Sequence, residues 1–199
     1  PDPVPWGEVV RGGGDTVHLY VDGSRGLDEL NANWVLCHEL SHLLHPYVAR
    51  GGSWLPEGIA SYYQNVLRAR AGLLEPAVAW QKLASGFARG RQQTTGKRSL
   101  VDATETLMHA RQYMRVYWSG AAIALIADVE LRQRTHGAMS LDRVLDELAQ
   151  CCLPTQDRWR PSALMEKMDA IAGTGTFMRL YEMYVERPVF PDVDRVLDV

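Results

Sequence analysis

The feature that most restricts the fold is the segment WVLCHELSHLLHP (residues 34–46), which places three histidines and one glutamate in an otherwise apolar predicted helix. His38 and His42 are four residues apart, so on a helix they share one face, one turn from each other. Both imidazoles can then bind one metal ion, with Glu39 beside them. In this H-E-x-x-H pattern the histidine pair binds zinc and the glutamate acts as a general base.

The neighbours of the motif indicate a buried helix. Apolar residues surround it on nearly all sides: Trp34, Val35, Leu36, Cys37, Leu40, Leu43 and Leu44. A helix that is apolar all round is normally buried, and buried imidazoles and carboxylates need a partner or a metal. The alternative is an amphipathic helix that shows its histidines and glutamate to solvent.

A catalytic zinc site keeps three protein ligands and one open position, so a third ligand must come from another segment. The segment WLPEGIASYYQ (54–64) offers Glu57 in the first turn of the next predicted helix. Acidic residues are also favoured at that position by the helix dipole. Glu57 therefore does not indicate a metal site by itself.

Taken together, these segments resemble a known family. HELSH followed by WLPEGIASYY is similar to the gluzincin metallopeptidases, in which a W-L-x-E-G-x-A-S-Y segment follows H-E-x-x-H. Residues 116–148 resemble the helical part of the glycyl aminopeptidase branch and, less closely, of the aminopeptidase N branch. The Tyr-x-x-Gly segment of those branches is matched by residues 117–120, and the whole resemblance covers roughly residues 15–150.

The resemblance implies a Zn2+ site with His38, His42 and Glu57 as ligands, Glu39 as general base and Tyr117 as the group that hydrogen-bonds the developing oxyanion. It further implies hydrolysis of a peptide or protein substrate by metal-activated water, and a secreted or periplasmic location. Aminopeptidase and endopeptidase action both stay open. The rival interpretation is a non-catalytic zinc- or peptide-binding module that has kept the ligands.

The sequence departs from the family pattern in front of and behind the motif. Only 14 residues separate His42 from Glu57, fewer than in the aminopeptidase branches, so we expect a trimmed loop. The G-x-M-x-N segment that helps hold a substrate's free amine in aminopeptidase N relatives is absent. Asp15 is an alternative contact for that amine, although the GGGD segment that contains it is equally typical of a turn. A predicted strand over 16–22 offers an edge for an extended peptide.

Two further residues compete for roles in the site. His45 follows His42 by one turn, but the third-ligand pattern of metzincins would need a glycine at position 45 and a histidine at position 48. We therefore expect His45 not to bind metal. Tyr113 lies one turn before Tyr117, and the glycine at position 120 favours Tyr117.

The periodicity predicts a mostly α fold with a small N-terminal β portion (α+β) within one domain, 1–199, and the resemblance implies that this domain is a reduced thermolysin-like module. Its expected parts are a strand-bearing front (1–26), the zinc-site helices (27–72), a helical body (73–185) and an extended, proline-rich tail (186–199). Predicted helices cover 27–45, 56–72, 76–88, 100–112, 114–135, 141–150 with Ser140 as N-cap, and 162–171. The basic segment 88–100 is predicted to be a loop.

Composition excludes some classes of function. The 199 residues are 46% hydrophobic, enough for a sizeable core, and a net charge of −3 gives no reason to expect nucleic acid as a partner. No apolar run is long enough to cross a bilayer. Of the three cysteines, Cys151 and Cys152 are adjacent, and neighbouring cysteines rarely bridge each other. We therefore expect no disulfide framework, and the oligomeric state stays open.

Overall fold

The N-terminal strands form a two-stranded antiparallel sheet. The computed structural model describes residues 2–12, 14–49, 51–107, 112–155 and 157–197. Strand β1 (Trp6–Arg11) pairs with β2 (Asp15–Tyr20) so that Trp6 lies opposite Tyr20 and Arg11 opposite Asp15. The predicted strand corresponds to β2. Strand β1 was not predicted, because WGEVVR lacks the alternation that marks a half-buried strand.

Helices make up most of the described chain, which confirms the predicted fold class. Their bounds are α1 Leu27–Ala32, α2 Val35–Ser41, α3 Trp54–Arg70, α4 Pro76–Gln93, α5 Leu100–Glu105, α6 Tyr113–Arg134, α7 Leu141–Cys152, α8 Pro161–Ala172, α9 Thr176–Leu180 and α10 Asp194–Leu197. A 3₁₀ turn, His42–Leu44, continues α2, and a π turn, Tyr181–Val185, continues α9. Ser140 caps α7 as predicted, accepting a hydrogen bond from the Arg143 backbone N–H.

Helix α6 is the centre of the core and is buried along most of its length. It crosses α3 where Gly58 faces Gly120, and a Cβ on either glycine would collide with the backbone of the other helix. Glycine is required at both positions because only a missing side chain lets two helix backbones approach this closely. Since Gly58 follows Glu57 and Gly120 lies one turn after Tyr117, this crossing brings the two candidate site residues together.

The single helix predicted over 27–45 is divided in two. Asn33 has an extended backbone, and its side-chain oxygen accepts a hydrogen bond from the Val35 backbone N–H. An asparagine in this role ends one helix and starts the next. The end of the predicted helix is correct, because His45 is extended in front of Pro46.

The expectation that α2 is buried on all sides is wrong. Leu36 and Leu40 are 40% and 44% exposed, and Trp34 is 43% exposed. The buried residues of α2 are instead Val35, His38, Glu39 and Ser41. The polar groups of the motif are therefore enclosed, as expected, while the apolar residues on the opposite side of the helix face solvent.

Two predicted irregular segments contain helix. Residues up to Gln93 continue α4, so only 94–99 of the predicted loop lack regular structure, because Arg and Gln are good helix formers and polarity alone does not indicate a loop. The predicted extended tail contains α10, held by the buried Val193 and Val196. Helix α5 ends at Glu105, and residues 108–111 of the predicted 100–112 helix lie outside the described residues.

Two further predictions concern the cysteines and the presence of membrane-spanning helices. Cys151 and Cys152 are joined by a disulfide at the end of α7, contrary to the expectation for neighbouring cysteines, and Cys37 is free. None of the described helices combines the length and the apolar character needed to cross a bilayer.

Candidate metal centre

The two histidines of HELSH lie on adjacent turns and face the same point. His38 is buried within α2, and His42 begins the 3₁₀ turn with helical backbone angles, so the four-residue spacing still places both rings on one side. The ring centroids are 5.0 Å apart and the rings are nearly perpendicular. Two imidazoles held at this separation can approach one cation together.

Glu57 completes the group from the first turn of α3. Its Oε2 lies 3.2 Å from His38 Nε2 and 3.7 Å from His42 Nε2. One donor atom from each of the three residues lies within 4.8 Å of the other two. The structure therefore contains a His38, His42 and Glu57 group that could hold a metal ion, brought together from two helices as the sequence suggested.

A fourth residue, Gln64, orients the first histidine. Its Oε1 accepts a hydrogen bond of 2.8 Å from His38 Nδ1. An amide oxygen can only accept, so His38 carries a proton on Nδ1 and turns Nε2 towards Glu57. Gln64 lies two turns after Glu57 on α3, and sequence reasoning missed it because nothing in a single glutamine marks it as a histidine partner.

Charges within the group are unevenly distributed. Burial lowers the pKa of His42 to about 3, so this ring is neutral at pH 7. Burial also acts to lower the pKa of His38, but the hydrogen bond and charge of Glu57 outweigh it and raise that pKa. In Glu57 the contacts with both histidines outweigh burial, so its pKa is lowered. Glu57 is thus an anion, and the proton on the His38–Glu57 pair is the one that a cation would displace.

Glu39 lies next to the group without belonging to it. Its carboxylate is buried, and burial together with the negative charges of Glu57 and Glu8 raises its pKa. Strand β1 passes directly over it: a Cβ on Gly7 would stand 2.6 Å from Glu39 Cγ and 2.7 Å from Val35 Cγ1. The glycine therefore allows the strand to cover the glutamate side chain.

Tyr117 reaches the same place from α6. Its ring stacks on His38 with centroids 6.2 Å apart and planes 10° from parallel, and its hydroxyl lies near enough to Glu57 for the two groups to interact. Burial and the negative charge of Glu57 raise the pKa of Tyr117 far above its ordinary value. The phenol is therefore a hydrogen-bond donor at any physiological pH.

The competing residues do not belong to this group, although His45 also lines the cleft. His45 is buried, its Nδ1 donates to the Pro46 carbonyl at 2.8 Å, and it is not part of the three-residue group. Tyr113 packs on Tyr117, with centroids 6.4 Å apart, and does not line the adjoining cleft. Asp15 pairs with Arg11 at 3.2 Å, so it has a partner other than a substrate amine.

The group opens into a cleft of about 790 Å³. Its walls include His38, Glu39, His42, Glu57 and Tyr117 together with five residues of β1: Trp6, Gly7, Glu8, Val9 and Arg11. No residue of β2 lines the cleft, so the strand predicted to offer its edge to a peptide does not border the site. Strand β1 lies between β2 and the cleft.

Comparison with known proteins agrees with a peptidase. A family model for M61 glycyl aminopeptidase matches residues 45–123, a segment that carries Glu57 and Tyr117 and begins after His42. No curated protein matches the chain. The matched segment spans about two-fifths of the sequence and includes α3, α4 and the first half of α6. The chain is therefore similar to a peptidase family over the segment that supplies the carboxylate and the tyrosine of the site.

Proposed function

We propose that this protein hydrolyses peptide bonds, using water as the nucleophile, a zinc ion held by His38, His42 and Glu57, and Glu39 as the general base. The observation that carries the proposal is the convergence of two imidazoles and one carboxylate, within 4.8 Å of one another, on the wall of an open cleft. The similarity to a peptidase family over residues 45–123 supports the reaction class.

The donor set fits zinc. Two imidazole nitrogens and one carboxylate oxygen form a ligand set used by catalytic zinc sites, which leave a fourth position open. The hydrogen bond from His38 Nδ1 to Gln64 supplies the outer contact that orients a ligating histidine. When bound, zinc supplies Lewis acidity, which lowers the pKa of a water molecule to ~7 and polarises a carbonyl.

Glu39 is the proton acceptor in this proposal. Its carboxylate lies beside the ligands but outside the group, so it is free to take a proton from the attacking water. A carboxylate with a raised pKa holds that proton better, and it can then pass it to the departing amine. Strand β1 packs over the side chain at Gly7 and limits its freedom to move.

Tyr117 stabilises the negative charge that develops on the carbonyl oxygen. Its hydroxyl stays protonated because its pKa is raised, so it can donate a hydrogen bond at neutral pH. The stack on His38 and the close crossing of α3 and α6 at Gly58 and Gly120 hold the ring in place. A donor held ready in this way favours the transition state over the planar substrate.

Strand β1 is the element that would hold the peptide. Within the described residues it pairs only with β2, and its side chains line the cleft. An extended peptide can add to a free strand edge through backbone hydrogen bonds. This assigns to β1 the role that the sequence suggested for residues 16–22.

The decisive experiment compares the wild-type protein with Glu39→Gln. We expect both proteins to hold zinc and the variant to lose ~10²–10⁴-fold in turnover, the usual contribution of a general base. The substrates are a diverse library of fluorogenic peptides with free and blocked N-termini, which also separates aminopeptidase from endopeptidase action. Glu147→Gln, on the exposed side of α7, is the matched control. Equal and negligible turnover by both zinc-loaded proteins would overturn the proposal.

A further inference from the structure

A second pocket, of about 630 Å³, lies on the other side of His38, between α3, α4 and α6. It shares Trp34, His38 and Tyr117 with the catalytic cleft, so these three side chains border both cavities. The two linings differ in charge. The catalytic cleft contains four acidic and two basic residues, Asp2, Glu8, Glu39, Glu57, Arg11 and Arg158. The second pocket, hereafter the cationic pocket, has three basic residues and no acidic residue among the described residues that line it.

Arg68 of α3 is the buried cation of this pocket and is only 4% exposed. One of its Nη atoms donates to the carbonyl of Ala32, at the end of α1. Its Nε is buried without a hydrogen-bond partner, and no carboxylate forms an ion pair with it among the described residues. A buried guanidinium normally needs an anion or several hydrogen-bond acceptors. The positive charge of Arg68 in the pocket wall is therefore not neutralised by any described residue.

Helix α4 contributes the other two cations. Lys82 and Arg89 are seven residues apart, so they lie on one face of the helix, two turns from each other, with Ser85 between them. The Arg89 guanidinium lies over the Trp118 ring, 5.4 Å from its centroid, which places it next to Tyr117 along α6. Both cations are exposed to solvent and form no ion pair with a described residue, so both are available to bind an anion.

We propose that the cationic pocket binds a carboxylate of the peptide substrate, either an acidic side chain or the free C-terminal carboxylate. Because the pocket adjoins the metal-binding group at His38 and Tyr117, a peptide cleaved there can place one end in it. Selection for such peptides rests on the proposed function. Binding of the carboxylate does not, since the cations are present whether or not the site is catalytic.

Three peptides that differ only in charge test this assignment: Ala-Ala-Glu-amide, Ala-Ala-Gln with a free C-terminus, and Ala-Ala-Gln-amide. Their affinities for the zinc-loaded Glu39→Gln protein are measured by calorimetry, so that no hydrolysis interferes. We expect one or both carboxylate peptides to bind about fivefold or more tightly than the neutral peptide, with the preference weakening as salt is added. The peptide that gains affinity identifies the source of the carboxylate. Equal affinities for all three would overturn the proposal.

Substitution of the two α4 cations tests whether the carboxylate binds in the cationic pocket. Lys82→Gln combined with Arg89→Gln should remove the preference and leave zinc content and the affinity for the neutral peptide unchanged. These positions are better targets than Arg68, which also caps α1. The controls are Lys97→Gln in the loop after α4 and Arg91→Gln, which contacts Asp194 and Phe190 away from the pocket. A preference that survives in the double variant would show that the carboxylate binds elsewhere, for example at the zinc, and would contradict the assignment.

The two proposals can fail separately. If the wild-type protein hydrolyses nothing but Glu39→Gln prefers carboxylate peptides through Lys82 and Arg89, the catalytic proposal fails and the pocket stands. If the protein is an active peptidase with the same kcat/KM for charged and neutral peptides, and Glu39→Gln binds all three equally, the pocket proposal fails alone.

Discussion

Gly7 in β1 and Glu39 in α2 lie so close together that a single added methyl group would stand 2.6 Å from Glu39 Cγ. The strand thus covers the proposed general base through a residue without a side chain. This contact joins the sheet, which sequence analysis only half predicted, to the motif that it predicted best. It also accounts for a glycine inside a strand, where this residue is otherwise unfavourable.

Gly7→Ala should reduce both stability and activity. The new Cβ also meets Val35 Cγ1 at 2.7 Å, so either the strand or the glutamate must move. Overpacking of this kind costs ~1–3 kcal/mol in the free energy of unfolding. Urea unfolding measures the stability change, and kcat measures the displacement of Glu39. The control is Gly12→Ala in the same hairpin, where an added Cβ meets nothing within 4 Å. Equal losses of stability and kcat in Gly7→Ala and Gly12→Ala would show that the close contact with Glu39 is not what requires glycine at position 7.

Gln64→Leu should weaken zinc binding while the three ligands stay in place. The substitution removes the acceptor for His38 Nδ1–H, which lies 2.8 Å away, so the ring is no longer held with Nε2 towards Glu57. Losing such an outer contact commonly costs ~10–100-fold in metal affinity. Competition with a chromogenic chelator measures the affinity. Gln64→Glu keeps an acceptor oxygen and should bind zinc better than the leucine variant; the reverse order would contradict this role.

His42→Ala should abolish stoichiometric zinc binding. The ring is neutral at pH 7, because burial lowers its pKa to about 3, and it therefore presents a lone pair to a cation. Elemental analysis after purification should find about one zinc per wild-type chain and far less in the variant. His18→Ala, on the exposed side of β2, is the control and should keep its zinc. Unchanged zinc in His42→Ala would remove this residue from the ligand set.

Tyr117→Phe should lower kcat about a hundredfold, the usual cost of losing one donor to a developing oxyanion. KM should change little if the hydroxyl acts mainly in the transition state. Zinc content should be unchanged, because Tyr117 is not a member of the three-residue group. The matched control is Tyr113→Phe, which removes a hydroxyl one turn away from a ring that does not line the cleft. A larger loss of kcat in Tyr113→Phe than in Tyr117→Phe would indicate that Tyr113, and not Tyr117, donates to the oxyanion.

Asp142→Asn should destabilise the fold at neutral pH more than at acid pH. Burial raises the pKa of Asp142, but hydrogen bonds from Arg70 at 2.9 Å and from Tyr63 at 2.8 Å outweigh it, so the pKa lies below its ordinary value of 3.8. A lowered pKa means that the carboxylate's contribution is present above pH ~4 and is lost as the pH falls through the folded-state pKa.

Urea unfolding of Asp142→Asn measures this dependence. We expect a loss of about 0.5–1 kcal/mol in the free energy of unfolding at pH 7, because the Asp142 side chain is 37% exposed and solvent screens its ion pairs, and a smaller difference from wild type at about pH 3. Asp146→Asn, one turn further along α7, is the control because, among the described residues, its carboxylate accepts a hydrogen bond only from Gln150. A difference that grows towards acid pH would refute the sign of this argument.

The sequence predicted the local features of the site well. The four-residue spacing of His38 and His42 requires only a helical turn, and Ser140 caps its helix by contacts within three residues. The break at Asn33 was missed, although its mechanism is local, because the apolar periodicity continues across it. The helix up to Gln93 was missed because a polar, basic composition was taken to indicate a loop.

Features that join distant segments could not be read from spacing. Gln64 was not predicted to bond His38, because 26 residues separate them and a glutamine can make many contacts. The exposed side of α2 was taken to be buried, because apolar residues indicate burial only when another element covers them. The cationic pocket depends on three helices, and the basic residues of each one, considered singly, resemble an ordinary solvated surface.

The sequence alone determined the residue types of the site, the helices that carry them and the mostly helical class of the fold, because these follow from interactions within a few residues along the chain. Tertiary structure decided that Glu57 and Tyr117 meet the histidines, that β1 rather than β2 lines the cleft, and which apolar residues are enclosed. These outcomes depend on how closely separate segments approach, as Gly58 and Gly120 do between α3 and α6. Such approaches are set by the packing of whole elements, which no local pattern in the sequence specifies.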